Sequence, residues 1–146
     1  MKSLDTNILL YALNKDCSEH AVCRDLVNTA VKEGELWVMA DQIWFELYRL
    51  IRNPAVLEKP LNAENAASMV KWYRENTGWL HCAWEPSMMK DLSPLWARNS
   101  FSSKKSFNLI LAITLKSHGV KEFYTRNTRD FESLGFFDVC NPLLNQ

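Results

Sequence analysis

Met1-Lys2-Ser3-Leu4-Asp5-Thr6-Asn7, followed at once by Ile8-Leu9-Leu10-Tyr11-Ala12-Leu13, is the stretch whose reading decides the fold. A short first strand here ends at Asp5. The apolar run behind it reads as a helix from Asn7 to about Asn14, with Asn7 as its N-cap. In open α/β sheets, ligands bind in the crevice beyond the carboxyl ends of the strands. A carboxylate delivered to that edge is placed to bind something rather than to pack. The question for the rest of the chain is whether other acids reach the same edge.

The pattern that follows alternates helix and strand. Ser18 opens a second helix with Ala21, Val22, Leu26, Ala30 and Val31 at helical spacing, and Gly34 ends it. Leu36–Ala40 is a continuous apolar run of strand length, as in a strand buried on both faces. Asp41 caps the helix Gln42–Arg52, which stops at Asn53-Pro54 because the residue before a proline avoids the α region. Asn62 caps the next helix, with its stripe of Ala66, Ala67, Met69, Val70 and Tyr73, and Trp79–Trp84 is a short third strand. Pro86 starts a helix through Leu95, and Ser100–Lys105 is a polar, basic loop. A Leu/Ile/Ala-rich helix over Phe107–Ser117, a strand at Glu122–Thr125, a loop and short helix to Phe131, and a strand at Phe136–Cys140 complete the chain. Such alternation gives a mainly parallel sheet of four or five strands with helices on both faces, a three-layer α/β/α domain over 1–146.

Composition narrows the class. With 17 basic and 17 acidic residues, no global charge drives binding to a polyanion, so a nucleic-acid partner would need a local basic patch. Cys17, Cys23, Cys82 and Cys140 form no Cys-x-x-Cys pair and read as reduced, partly buried thiols of a cytoplasmic protein. Asp5 and Asn7 interrupt the N-terminus where a signal peptide needs an apolar run, and no stretch has the length of a membrane span. Gly-x-Ser-x-Gly, P-loop and Gly-x-Gly-x-x-Gly motifs are all missing, which counts against serine chemistry and a nucleotide cofactor.

Four polar residues fall at strand ends or helix starts: Asp5, Glu46, Asn108 and Asp130. Three carboxylates and one amide converging on one edge suit oxygen coordination of Mg²⁺ or Mn²⁺. Such an ion activates water and holds a phosphodiester oxygen. The competing account is that acids at helix N-termini simply complement the dipole, which covers Asp41 and competes for Glu46 and Asp130. Arg98, Lys104 and Lys105 on one side and Arg126 and Arg129 on the other are candidates for RNA phosphate contacts, against the account of an ordinary solvated surface. Trp37, Trp44 and Trp72 fall in apolar strands or stripes and read as core or subunit contacts, while His20 and His81 lack a partner at metal spacing.

These residues resemble a known family. Leu4-Asp5-Thr6-Asn7 before an apolar helix, Glu46 in the helix after strand two, and Thr125-Arg126-Asn127-Thr128-Arg129-Asp130-Phe131 look like a PIN domain, at the size of a stand-alone VapC-type toxin. The segments Glu46–Pro54 and Pro60–Asn62 look like one VapC subfamily. The resemblance implies a metal-dependent endoribonuclease using Mg²⁺ or Mn²⁺, neutralised by a cognate antitoxin protein, and a homodimer. It places Asp5, Glu46 and Asp130 at three acidic positions of the family, with Thr6, Asn7, Thr125 and Asn127 as site-shaping polar residues. The departure is Asn108, in Ser106-Phe107-Asn108-Leu109-Ile110, where the family has an aspartate. The amide keeps the shape but loses a negative charge, and it cannot act as a base toward water. Two origins fit it: a substitution made to disable a toxin, which the otherwise intact motif favours, or a natural member with weakened or lost activity. The rival to a ribonuclease is a catalytically silent PIN-fold module that binds RNA or a protein partner. A weaker third reading is an unrelated doubly wound domain for a small phosphorylated ligand.

Overall fold

A computed structural model describes residues 1–144. Five short parallel strands, β1 (Lys2–Leu4), β2 (Val38–Ala40), β3 (Leu80–Cys82), β4 (Glu122–Tyr124) and β5 (Asp138–Cys140), form ladders β1-β4-β5 and β2-β3. A parallel bridge between Lys2 and Trp37 joins the two, so the order across the sheet is β3-β2-β1-β4-β5. Seven helices accompany them: α1 (Thr6–Leu13), α2 (His20–Glu33), α3 (Asp41–Ile51), α4 (Ala63–Asn76), α5 (Met89–Trp96), α6 (Ser106–Ser117) and α7 (Arg129–Glu132). They pack in two groups, α1 with α2 and α3 and α3 with α4, then α5 with α6 and α6 with α7, which is the three-layer arrangement expected. Among the described residues, no helix is long and apolar enough to cross a membrane.

The order of strands has a functional consequence. From β1 the chain builds outward on one side through β2 and β3, then returns to the other side with β4 and β5. The gap between β1 and β4 is therefore the topological switch point, where open α/β sheets leave a crevice at the carboxyl edge. Leu4 pairs with Tyr124, so the next residue on each strand, Asp5 and Thr125, meets its counterpart inside that crevice.

The helices follow from residue spacing. On α3, Ile43, Trp44, Leu47 and Ile51 are buried at i, i+1, i+4 and i+8. Phe45, Glu46 and Arg49 are left on the face away from the core. Helix α6 buries Leu109, Leu111, Ala112, Ile113, Thr114 and Leu115, nearly all round, and so behaves as a core helix. Gly34 closes α2 with φ +57°, a conformation that favours glycine, and its N–H donates to the Ala30 carbonyl. The main core joins Leu4, Ile8, Leu9, Met39, Leu47, Leu111 and Phe123; a smaller one joins Met88, Leu92, Leu109 and Ile113.

Several cap and boundary expectations are corrected. Asp5, not Asn7, caps α1, because its extended backbone lets a carboxylate oxygen accept from the Thr6 N–H at 2.8 Å. Ser18 does not open α2; the helix starts at His20 after Glu19, with no side-chain cap. Asp41 is the first residue of α3 rather than its cap, and its carboxylate pairs with Arg74 at 3.2 Å. Asn62 does cap α4, accepting from the Asn65 N–H at 2.8 Å. The run from Leu36 yields a strand only from Val38, since Gly34–Leu36 forms a 3₁₀ turn, and Phe136 and Phe137 likewise precede β5. Trp37 and Trp44 are buried as expected, whereas Trp72 is 49 % exposed.

Trp44, Tyr73 and Trp79 stack with ring centroids 5.6–6.3 Å apart. The Trp79 indole N–H also donates to the Ala30 carbonyl at 3.0 Å, tying β3's approach to α2. Trp79→Phe keeps a ring but removes that donor from a buried carbonyl. Because the Gly34 N–H still donates to that carbonyl, the change is expected to cost about 0.5–1.5 kcal/mol in urea denaturation.

Candidate active site

Asp5 is the centre of the crevice and is only 9 % exposed. One carboxylate oxygen caps α1 through the Thr6 N–H; the other accepts from the Thr125 hydroxyl at 2.7 Å and the Asn7 amide at 3.2 Å. The Thr125 hydroxyl in turn accepts from the Asn7 amide at 3.3 Å and from the Asn127 N–H at 3.0 Å. Asn7, Thr125 and Asn127 thus belong to one hydrogen-bond network with Asp5, each joined to it directly or through Thr125. Burial pushes the Asp5 carboxyl up to about 6, against the hydrogen bonds from Thr125 and Thr6; the negative charges of Glu46 and Asp130 raise it further.

Glu46 arrives from α3. One of its oxygens accepts from the Thr6 hydroxyl at 2.9 Å, which links it to the residue capped by Asp5. The other faces the Gln42 amide at 3.4 Å, and Gln42 also donates to the Phe107 carbonyl at 2.8 Å, clamping α3 to the start of α6. Gln42 was not singled out from the sequence, although its place four residues before Glu46 is a readable signal. Asn108, in the first turn of α6, donates its amide to Asp130 at 3.3 Å, and the Lys105 ammonium stands 3.9 Å from the other Asp130 oxygen. The four positions picked from the sequence therefore do meet at one edge, as two linked pairs, Asp5 with Glu46 through Thr6 and Asp130 with Asn108.

The donor chemistry of this edge, carboxylates and amides with no nitrogen or sulfur ligand, fits a hard divalent cation. As the side chains stand, no group of three or more His, Cys, Asp and Glu among the described residues is gathered closely enough to hold an ion. Glu46 is instead hydrogen-bonded to Thr6, and Asp130 lies between an amide and an ammonium. The raised Asp5 carboxyl still registers both acids, so the edge carries like charge that a cation would relieve.

The basic residues divide. Lys105 reaches Asp130, and Arg98 lines a surface cleft that also includes Lys105 and Asp130. Arg126 is tethered within the fold: its guanidinium donates to the Tyr11 hydroxyl at 2.6 Å and to Glu19 at 3.3 Å, and its backbone N–H donates to Asn7 at 3.3 Å. Its ion pair and stacking over Tyr11 fasten the β4–α7 loop to α1 and α2, a structural role that the sequence did not disclose. Lys104 and Arg129 are exposed. His20 and His81 take structural partners, the Tyr11 carbonyl at 3.0 Å and the Trp44 indole at 3.4 Å. All four cysteines are free, and burial pushes Cys23 and Cys82 up to about 11, so neither is a ready thiolate.

Comparison with known proteins places this geometry. No family model matches the chain. Ribonuclease VapC24 of Mycobacterium tuberculosis is 37 % identical over 143 residues, covering 98 % of this chain and 97 % of that protein. Among solved structures, VapC20 of Mycobacterium tuberculosis, a sarcin-ricin loop cleaving toxin, superposes with a TM-score of 0.72 at 13 % identity, over 97 % of this chain and 100 % of that one. VapBC2 of Rickettsia felis, bound to a promoter DNA fragment, gives 0.67 at 15 % identity over 96 % and 97 % of the two chains. FitAcB of Neisseria gonorrhoeae gives 0.64 at 18 % over 99 % of each. The structural matches establish the fold. With the near-full-length identity to VapC24 and an acidic crevice at the switch point, the chain belongs to the VapC family of ribonucleases.

Proposed function

We propose that this protein is the toxin of a toxin–antitoxin pair, an endoribonuclease that hydrolyses RNA phosphodiesters with Mg²⁺ or Mn²⁺. The observation that carries the reading is a buried carboxylate, Asp5, held by three donors at the switch point and facing two further acids. Asp5 and Asp130 would hold the cation, Glu46 would complete the site directly or through water, and Asn108 would take the fourth position. A cation bound there supplies Lewis acidity, activating water and neutralising phosphate charge. The chain's own residues prepare the rest. Thr125, Asn7 and the Thr6 N–H fix Asp5 in one orientation, while Thr6 and Gln42 fix Glu46. Lys105, beside Asp130, offers a positive charge for an RNA phosphate entering the edge.

Asn108 favours a second reading, a silent RNA- or protein-binding module. Its amide and the Lys105 ammonium satisfy Asp130 without an ion. The two readings part in one assay. RNA cleavage is measured with Mn²⁺ or Mg²⁺ and with EDTA, for the chain as given, for Asn108→Asp, and for Asp5→Ala. The ribonuclease reading expects cleavage that the restored carboxylate enhances and that EDTA or Asp5→Ala abolishes. No metal-dependent cleavage in Asn108→Asp sinks it, and RNA or antitoxin binding indifferent to EDTA then supports the silent module.

Partners belong to the same proposal: a cognate antitoxin and a second copy of the chain, in the cytoplasm. The helices carrying Trp44 and Trp72 are the surfaces for them, with one amendment. Trp44 is buried, and it is its neighbour Phe45, 70 % exposed, that α3 presents together with Trp72 on α4.

A further inference from the structure

Beside Asp130 the surface opens into a cleft of about 270 Å³ between the end of α5, the loop leading to α6, and α7. Its wall is mixed: Phe101, Leu109 and Leu134 supply apolar surface, Ser100 and Ser102 hydroxyls, and Arg98 and Lys105 positive charge. Asp130 forms part of the same lining, so the cleft is continuous with the acidic edge. The volume lies just under the usual small-ligand range, enough for one flat ring system and little more.

The cleft is built rather than incidental. Phe101 packs on the small core of Met88, Leu92, Leu109 and Ile113, which fixes its ring at the wall. Backbone turns close the loop on both sides, with the Phe101 N–H donating to the Arg98 carbonyl at 3.0 Å and the Lys105 N–H to the Ser102 carbonyl at 3.0 Å. Among the described residues, Arg98 has no ion-pair or hydrogen-bond partner for its guanidinium, unlike Arg126 on the opposite side of the site.

An aromatic floor, a free guanidinium and nearby hydroxyls form the chemistry that receives an unpaired base. Sequence-specific RNA recognition works on splayed-out single-stranded bases, stacked on aromatic rings and read at their edges. A base flanking the phosphate at the acidic edge lies within one nucleotide of this cleft, because Asp130 and Lys105 belong to both. We infer that the cleft is a subsite for one unpaired nucleobase beside the cut phosphate, with Phe101 as stacking floor and Arg98 reading the base edge. Arginine pairs best with the two acceptors of guanine, so guanine is the preferred occupant. The inference rests on the ribonuclease reading, of which it specifies the substrate.

Binding rather than cleavage tests it. Short labelled single-stranded RNAs, uridine-rich and differing only in the base at one position, are titrated against the chain as given in EDTA, by fluorescence anisotropy. The guanine-containing RNA is expected to bind about tenfold more tightly than the others. Phe101→Ala should weaken that RNA about tenfold or more, with Phe101→Tyr restoring it, and Arg98→Gln should erase the preference for guanine. Circular dichroism checks the fold of Phe101→Ala, and Arg98→Gln, at an exposed position, gives an independent answer. Equal binding of all four RNAs, or an Arg98→Gln loss that is the same for every base, overturns the subsite. If guanine-selective binding survives while Asn108→Asp shows no metal-dependent cleavage, the ribonuclease reading fails and the cleft stands as an RNA-binding feature.

Discussion

Asn108→Asp is expected to raise metal-dependent RNA cleavage by about 100- to 10,000-fold, the usual contribution of a positioned proton acceptor. The amide at this position donates to Asp130 at 3.3 Å, so it stabilises the edge while withholding both a charge and a base. A carboxylate in its place would face Asp130 with like charge. Without a cation, the variant should therefore be less stable than the chain as given, by about 1–3 kcal/mol from the lost hydrogen bond and the repulsion. Added Mn²⁺ should reverse that order, since a fourth negative oxygen ligand strengthens the hold on a hard cation. Two measurements check it: cleavage rates against Mn²⁺ concentration, and thermal unfolding with and without the ion. A variant that is equally stable in EDTA and Mn²⁺, and no faster than its parent, removes position 108 from the cation's surroundings.

How far the sequence reached follows from the kind of interaction involved. The strand–helix alternation was legible because the apolar runs at Leu36–Ala40, Phe107–Ser117 and Glu122–Thr125 carry their own signal of length and spacing, and β2, α6 and β4 emerge close to those positions. Asp5, Asn108 and Asp130 were legible because each sits at a strand end or helix start, the edge where the topology concentrates chemistry, and Glu46 because it lies little more than a turn into the helix after β2. Which residue caps α1 was not, because Asp5 and Asn7 are both good caps and only the backbone at Asp5, extended at ψ 157°, decides between them. The tether made by Arg126 was not legible for a different reason. Its partners, Tyr11 and Glu19, are 115 and 107 residues away, and a one-dimensional reading sees only a basic residue beside the motif. The same applies to the cleft around Phe101, whose walls come from α5, α6 and the α7 region and are brought together only by packing.

Metal-free protein is expected to lose about 2 kcal/mol of stability as pH rises from about 4 to about 6, out of about 3 kcal/mol over the whole titration of Asp5. Its carboxyl is pushed up from 3.8 to about 6, chiefly by burial and further by Glu46 and Asp130. The folded protein therefore binds this proton more tightly than the unfolded chain does. The contribution is fully present below the unfolded value and is lost as pH rises through the folded one, leaving the stability flat in this respect near neutrality. Glu19 and Glu33, both lowered by hydrogen bonds, act with the opposite sign, so the Asp5 effect is read as a difference. Urea denaturation across pH 4–7 in EDTA, for the chain as given and for Asp5→Ala, isolates it: the variant loses three hydrogen bonds at every pH but should lack the fall. A divalent cation at pH 7 should restore stability to the parent and not to Asp5→Ala, because only the parent carries the buried charge that the ion relieves. Parallel pH profiles for the two proteins would mean that Asp5 titrates as an ordinary carboxylate, and the crevice would then hold no charge strain for a cation to release.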